Sequence, residues 1–304
     1  MGQDECIFKA YLGEGKEWEI AGVRGIRKKT EGPGIMVSAF QDEIRGFGFE
    51  MTGDELARVN AFRSTQGRGT LKQTSGTRFL KYGNNKEYYW KYGMFAEQCV
   101  DIMDCFEVLY PDWQLVMEVD HPSGHAKYRE DGLHVGNMNV KWGGAKGSSM
   151  RSTTVTAGCL GLKPATMTWK GKEGKPKGIR QMLWERGLWE DSMTGSADPI
   201  SGKNIFTVLG DCSDFKEERT ALQYAFESRG HILIMSPKCH PELGGVSIEY
   251  SWGRGKLEFW RRMNDEEPEN LKDNMLKALN TETILTLGRI RRFARRTREY
   301  RRTY

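Results

Sequence analysis

Residues 115–125 read Leu-Val-Met-Glu-Val-Asp-His-Pro-Ser-Gly-His, an apolar run that ends in an aspartate and turn-forming residues. A short apolar run between two turn signals is typical of a buried central strand. The run predicts such a strand over residues 113–119, with Asp120 at its carboxyl end. Open α/β sheets bind ligands at that end of their strands. Aspartate is also a common turn residue, so a binding role and a capping role both remain open.

The pattern around this strand predicts a mixed sheet. Apolar residues at alternating steps of four and three over residues 95–109 predict a helix just before it. Residues 231–235, His-Ile-Leu-Ile-Met, predict a second buried strand. Residues 18–20, 35–40 and 47–51 predict an antiparallel meander near the start of the chain. We therefore expect an α/β fold with a five-stranded mixed sheet flanked by helices.

Between and after these elements the chain divides into segments of different composition. Residues 63–86 are polar and glycine-rich and predict a surface hairpin or loop. We expect four segments. They are a first part of the core over 1–125, a loop-rich insertion over 126–213, a second part of the core over 214–262, and C-terminal helices with an arginine-rich end over 263–304.

Composition excludes several classes of protein. With 304 residues, of which 38% are hydrophobic and 29% charged, the chain is long and apolar enough to bury a core. No apolar run reaches the length of a membrane span, so no membrane partner is expected. The six cysteines include no Cys-x-x-Cys pair, which argues against a structural zinc site and against a disulfide framework.

The charge is concentrated at one end. The net charge is only +5, yet residues 289–304 hold eight arginines and one glutamate. Steps of three and four between some of these arginines place them on one helix face, and rows of guanidinium groups suit phosphate contacts. A merely solvated helix face is the alternative. The predicted nucleic-acid-binding residues are Arg289, Arg291, Arg292, Arg295, Arg296 and Arg298.

Three acids stand at special places in this pattern. Asp4 lies near the end of the first predicted strand, Asp120 ends the central strand, and Glu249 lies early in a helix after the next strand. Three converging carboxylates repel one another, and a pair of hard divalent cations, Mg²⁺ or Mn²⁺, removes that cost. Two such ions clamp the attacking and leaving oxygens of a phosphoryl displacement. The alternative is that each acid is a surface charge.

Two other patterns are weaker indications of function. His121 and His125 lie four residues apart, a spacing that suits zinc only in a helix, and Pro122 and Gly124 argue against a helix there. Residues 170–175 are lysine- and glycine-rich and predict a solvated loop.

The flanks of the three acids carry a resemblance. Asp-Glu stands at 4–5, Asp-His-Pro-Ser-Gly-His at 120–125, Pro-Lys-Cys-His-Pro-Glu-Leu at 237–243 and Ile-Glu-Tyr-Ser-Trp-Gly at 248–253. Together they resemble the catalytic domain of DDE transposases of the mariner-like and insertion-sequence-type superfamily. Its pattern runs Asp-Glu, Asp-x-Ser-x-x-His, Pro-Lys-x-His-x-Glu-Leu and Ile-Glu-x-x-Trp. The resemblance extends to residues 137–144 and to the basic end.

The resemblance implies a ribonuclease H-like fold with a long insertion before the last core strand. It implies DNA cleavage and joining, with water and a DNA 3′-hydroxyl as the nucleophiles. Asp4, Asp120 and Glu249 would be the catalytic acids and would hold two Mg²⁺ (or Mn²⁺) ions. Glu242 is the rival for the third position, and His125 would lie behind the metal ligands.

The resemblance also implies partners and a location. DNA would be the partner, with a homodimer on transposon ends, in the nucleus of a eukaryote or otherwise in the cytoplasm. The family has a full strand before its first acid, whereas only three residues precede Asp4, so we expect a truncated copy. The alternatives are an inactive transposon-derived remnant that binds nucleic acid through its basic face, and an unrelated metal-dependent nuclease on the same fold.

Overall fold

The computed structural model of the chain divides into two compact units, Met1–His125 with Ala225–Tyr304, and Ala126–Tyr224. The second unit runs past residue 213, where the sequence predicted the insertion to end. Among the residues described, no helix combines the length and the apolar character that a membrane crossing requires. The structure describes residues 1–11, 32–81, 86–87, 89–120, 127–144, 146, 150–156, 162–170, 175–199, 201–237, 240–263 and 267–303.

The described part of the chain opens with three strands and ends with three helices. The strands are β1 (Gly2–Lys9), β2 (Gly34–Asp42), β3 (Gly46–Phe47), β4 (Arg78–Lys81), β5 (Val116–Val119), β6 (Thr153–Thr156), β7 (Leu162–Ala165) and β8 (Ile232–Met235). The helices are α1 (Gly53–Thr65), α2 (Tyr92–Leu109), α3 (Ile179–Glu185), α4 (Ile205–Gly210), α5 (Ser213–Lys216), α6 (Ala221–Glu227), α7 (Ile248–Arg262), α8 (Leu271–Ala278) and α9 (Leu287–Thr303).

The first unit is built on a six-stranded mixed sheet in the order β3-β2-β1-β5-β8, with β4 also paired to β2. Strand β2 runs antiparallel to β1, whereas β5 runs parallel to β1 and β8 runs parallel to β5. The predicted α/β fold with a mixed sheet flanked by helices is confirmed, but the sheet has six strands rather than the expected five, because β4 also pairs with β2. The predicted strand at residues 18–20 lies outside the described residues.

Two elements contradict the expected surface loop at residues 63–86. Helix α1 begins after a capping box, in which the Thr52 side chain and Glu55 satisfy each other's backbone N–H groups, and it reaches into the expected loop. Strand β4 pairs antiparallel with β2, from Ser38 with Arg78 to Ile35 with Lys81. Only two apolar residues lie within β4, so its strand conformation depends on the partner strand rather than on its own pattern.

Helices cover both faces of the sheet. On one face, Phe8 of β1 packs edge-on against Phe259 of α7, with ring centroids 5.4 Å apart, and α8 and α9 complete this apolar core. On the other face the contact with α2 is partly polar. Ser38 Oγ donates to Gln98 Oε1 (2.7 Å) and accepts from Gln3 Nε2 (2.9 Å). Strand β1 is thus buried between two helical layers.

Helix α9 agrees with the amphipathic helix predicted from the C-terminal pattern. Ile290, Ala294 and Thr297 are its buried residues, and most of its arginines are exposed. Ile284 lies in the turn before the helix and packs against the same core. The apolar stripe therefore fixes which helix face meets solvent.

An ionic network joins α1 and α2. Asp104 is fully buried, and its carboxylate pairs with Arg63 (2.7 Å), with Arg229 (2.7 Å) and with Arg68. Arg63 also pairs with Asp101 (2.7 Å). A buried carboxylate is stable only when its charge is compensated, so these arginines hold α1 and the turn after α6 against α2.

The second unit has a core of its own. Strands β6 and β7 pair antiparallel, and helices α3 and α4 contribute the fully buried Ile179, Met182, Leu183 and Leu209.

Candidate functional site

Two of the predicted acids lie on neighbouring strands. The parallel pairing of β1 with β5 aligns Gly2 with Glu118 and Gln3 with Val119, and the residues that follow are Asp4 and Asp120. The two acids therefore lie side by side where β5 ends. Asp4 is the third residue of β1. Its expected position near the end of the first strand is wrong, because β1 continues to Lys9.

The third predicted acid reaches the same point from α7. Glu249 lies in the first turn of α7, and its side chain is hydrogen-bonded to Asp4. Trp252 lies one turn further and donates from Nε1 to Asp4 Oδ2 (3.0 Å). Residues three apart share a helix face, so the Glu-x-x-Trp spacing directs both side chains to Asp4. The structure thus brings Glu249 against Asp4. It does not place Glu249 in the group of acids whose ligand atoms lie within 4.8 Å of one another, which among the described residues consists of Asp4, Glu5 and Asp120.

A close backbone contact places the start of α7. A Cβ atom on Gly2 would lie 1.9 Å from the Gly245 carbonyl oxygen. The two backbone segments therefore approach this closely only because both residues are glycines. Val246 and Ser247 then adopt left-handed conformations, with φ of 49° and 61°. Such strain persists only where other contacts hold it. Ser247 Oγ supplies one by donating to the Phe293 carbonyl (2.7 Å).

The convergence of the acids changes their protonation. Burial raises the pKa of Asp4 to about 8, and the negative charges of Glu249, Glu5 and Asp120 contribute to this shift. Glu249 is exposed as a whole residue, yet partial desolvation of its carboxyl group raises its pKa as well, and the charge of Asp120 acts in the same direction. Because the pKa of both carboxyl groups is raised, the pair holds a proton to a higher pH than an isolated carboxyl group does.

This pKa shift predicts how stability depends on pH. Asp4 holds its proton more tightly in the folded chain, with a pKa of about 8, than in the unfolded chain, with a pKa of 3.8. Its contribution to stability is therefore full below pH 3.8 and is lost as the pH rises through about 8. In EDTA we expect the melting temperature of the wild type to fall over this range relative to that of Asp4→Asn. Parallel profiles of the two proteins would contradict the shift.

A fourth acid, Glu5, belongs to the cluster. The ligand atoms of Asp4, Glu5 and Asp120 all lie within 4.8 Å of one another, and these residues could hold a metal ion. The sequence pattern assigned Glu5 no role. Successive side chains of a strand point to opposite faces, so Asp4 and Glu5 leave β1 on opposite sides. Strand β5 pairs with β1 only at Gly2 and Gln3. Glu5 therefore has no residue of β5 beside it. Glu5 Oε1 also accepts from Gln3 Nε2 and Trp90 Nε1, both at 2.9 Å.

The rival acid, Glu242, has other partners. It lies in the turn Pro241–Leu243, and its Oε1 is 3.0 Å from His240 Nδ1. Burial raises the pKa of Tyr250, and the charge of Glu242 makes a smaller contribution in the same direction. The geometry favours Glu249 over Glu242 as the acid beside Asp4. The two histidines considered for zinc, His121 and His125, lie outside the described residues, so the expected place of His125 behind the ligands does too.

The arginines of α9 fall into two groups. Arg298 forms a bidentate pair with Glu43 (2.5 and 3.0 Å), Arg291 donates to the Glu43 carbonyl (2.9 Å) and Arg289 donates to the Ile284 carbonyl. These three predicted DNA contacts are therefore already engaged within the chain. The others, Arg292, Arg295 and Arg296, are exposed and have no carboxylate partner among the residues described.

One arginine outside the predicted set also binds near the acids. Arg301 forms a bidentate pair with Glu118 (2.7 and 2.5 Å), two residues before Asp120. This contact fixes the end of α9 beside the carboxyl end of β5.

The donor set fits a hard divalent cation. Among the described residues of the cluster, every ligand atom is a carboxylate oxygen, and oxygen ligands of this kind suit Mg²⁺ and Mn²⁺. Asp4 and Asp120 come from neighbouring strands, and Glu249 comes from a distant helix, so the site exists only in the folded chain. No family model, no curated protein and no solved structure matches the chain.

Proposed function

We propose that this chain is a DDE transposase-type endonuclease and strand transferase that cleaves and joins DNA phosphodiester bonds with Mg²⁺ or Mn²⁺. The observation that carries the proposal is the cluster of carboxyl groups at Asp4, which lies close to Glu5 and Asp120 and contacts Glu249, with the pKa of Asp4 raised to about 8. Carboxylates held this close destabilise the fold unless positive charge neutralises them. The mixed sheet, with β1 between antiparallel β2 and parallel β5, supports the finer proposal of a ribonuclease H-like fold.

Each acid of the site would have a defined role in binding the cations. Asp4 and Asp120 would hold two divalent cations together with Glu249 or Glu5. When bound, such ions stabilise charge on the attacking and leaving oxygens of an in-line displacement. Trp252 fixes one oxygen of Asp4. The proton that the pair of Asp4 and Glu249 holds must leave before both bind as carboxylates, so cation affinity should rise with pH.

A nicking assay tests the proposal. Supercoiled plasmid incubated with the full chain should be converted to open circles with Mg²⁺ or Mn²⁺ and remain intact in EDTA. Asp120→Asn removes one charge and keeps the shape of the side chain, so it is the matched control. Nicking at the same rate by wild type and Asp120→Asn would point to a contaminating nuclease, and no nicking with either cation would contradict the proposal.

The second candidate function is nucleic-acid binding without catalysis, which the exposed Arg292 and Arg295 favour. Each phosphate contact adds about 0.9 to the slope of log affinity against log salt. The double variant Arg292→Gln/Arg295→Gln should flatten this slope by about two units on duplex DNA. Removing the same charge from α8 with Lys272→Gln/Lys277→Gln should leave the slope unchanged. Equal effects of both pairs would mean that only net charge matters. Binding without nicking would support the second candidate.

A further inference from the structure

Helices α7 and α9 present an ordered aromatic and cationic surface next to the acidic site. The guanidinium carbon of Arg296 lies 5.2 Å from the ring centroid of Tyr250 and 5.7 Å from that of Tyr300. Arg296 also donates to the Tyr300 hydroxyl (3.2 Å). The Tyr250 ring stacks on Phe293 with centroids 5.7 Å apart and an angle of 26° between the rings. We call Tyr250, Arg296 and Tyr300 the platform.

A second arginine in the same unit shows what distinguishes the platform. Arg45 lies over Phe49 and Tyr110 at 5.2 and 5.3 Å, which is a similar arrangement. Arg45 is neutralised by a bidentate pair with Glu55 (2.7 and 3.0 Å). Arg296 has no such carboxylate partner in the described part of the chain and is exposed, as is Tyr300 at 36%. Its charge and the Tyr300 ring are therefore both open to a ligand.

The platform lies beside the acids because Tyr250 directly follows Glu249 in α7. Consecutive Cα atoms are about 3.8 Å apart. Glu249 contacts Asp4, whereas Tyr250 turns towards α9 and stacks on Phe293. Arg292 and Arg295 are exposed on the same helix as Arg296 and Tyr300, so a ligand that extends from the acids towards α9 would find both rings and positive charge there.

We propose that the platform binds an unpaired nucleobase of the DNA strand whose phosphate is held at the acidic site. Bases stack on aromatic rings and on guanidinium planes, and surfaces for single strands combine such groups with positive charge. In a duplex the bases stack on one another, so the platform would select a locally opened strand. This inference rests on the proposed function, because it takes the acidic site as the place of the scissile phosphate.

Binding of oligothymidine and of a duplex, both measured in EDTA by fluorescence anisotropy, tests the inference. Tyr300→Leu should weaken oligothymidine binding by about tenfold, a typical loss when a ring beneath a base is removed. The duplex affinity and the salt slope should not change, because the ring carries no charge. Tyr300→Phe keeps the ring and should bind like wild type. Arg296→Gln should lower the affinity for both oligothymidine and duplex, and it should flatten the slope of log affinity against log salt by about one unit.

Tyr110→Leu is the control, since it removes a ring beside an arginine that Glu55 neutralises, and it should leave both affinities unchanged. Equal losses for oligothymidine and duplex with Tyr300→Leu would overturn the inference. A Tyr300→Phe variant as weak as Tyr300→Leu would overturn it too, because the hydroxyl would then be the binding group. If the wild type nicks plasmid but Tyr300→Leu binds oligothymidine as tightly as the wild type does, the inference about the platform is rejected and the proposed function stands. Selective loss of oligothymidine binding without plasmid nicking would uphold the platform and reject the enzyme.

Discussion

Replacing Glu249 by Gln should lower the rate of Mg²⁺-dependent plasmid nicking by about a thousandfold. A cation ligand of this type supports several kcal/mol of transition-state stabilisation, and about 4 kcal/mol corresponds to a factor of a thousand. Gln keeps the shape of the side chain but removes the charge that lies beside Asp4. The rate should be measured at saturating Mg²⁺, so that a loss of affinity is separated from a loss of chemistry.

Two further variants locate the remaining ligands. Glu242→Gln makes the same change at the rival acid and should leave the rate within about twofold, because Glu242 contacts His240 rather than Asp4. Glu5→Gln tests the cluster of Asp4, Glu5 and Asp120. If Glu5→Gln abolishes nicking while Glu249→Gln retains it, the third ligand comes from β1 rather than from α7. A large loss in Glu242→Gln would mean that the assignment of Glu249 is wrong.

Replacing Asp104 by Asn should lower the free energy of unfolding by about 3–5 kcal/mol, the cost of breaking a buried ion pair from one side. The variant removes the fully buried carboxylate that Arg63 and Arg229 each contact at 2.7 Å, and it leaves Arg63 with Asp101 and Arg229 with Glu107. The change in the free energy of unfolding is measured by urea denaturation, from the midpoint of the transition and the slope of free energy against urea concentration.

A surface pair serves as the control for this variant. Glu43→Gln breaks the exposed pair with Arg298, and we expect a loss below about 1 kcal/mol. Comparable losses in Asp104→Asn and Glu43→Gln would show that burial of the network contributes nothing. Because none of the acids of the proposed site belongs to this network, a folded Asp104→Asn protein should still nick DNA.

The sequence alone predicted the elements whose signal is local. An apolar run with turns on both sides predicted β5 and the place of Asp120 at its end. The alternating steps of four and three predicted α2, which the structure bounds at Tyr92–Leu109. The sequence also placed Glu249 early in a helix, and α7 begins at Ile248. These features were readable because helix and strand periods relate neighbours in the chain.

Only the tertiary structure decided the features that depend on distant partners. Strand β4 forms because β2 offers its edge. Glu5 joins the acids because β5 stops pairing with β1 at Gln3. Arg298 pairs with Glu43 and Arg301 with Glu118, although all eight terminal arginines look alike in the sequence. The period of a helix or strand fixes the face on which each side chain lies. The contacts of that side chain depend on which elements the fold brings opposite the face, and the linear sequence pattern does not contain this information.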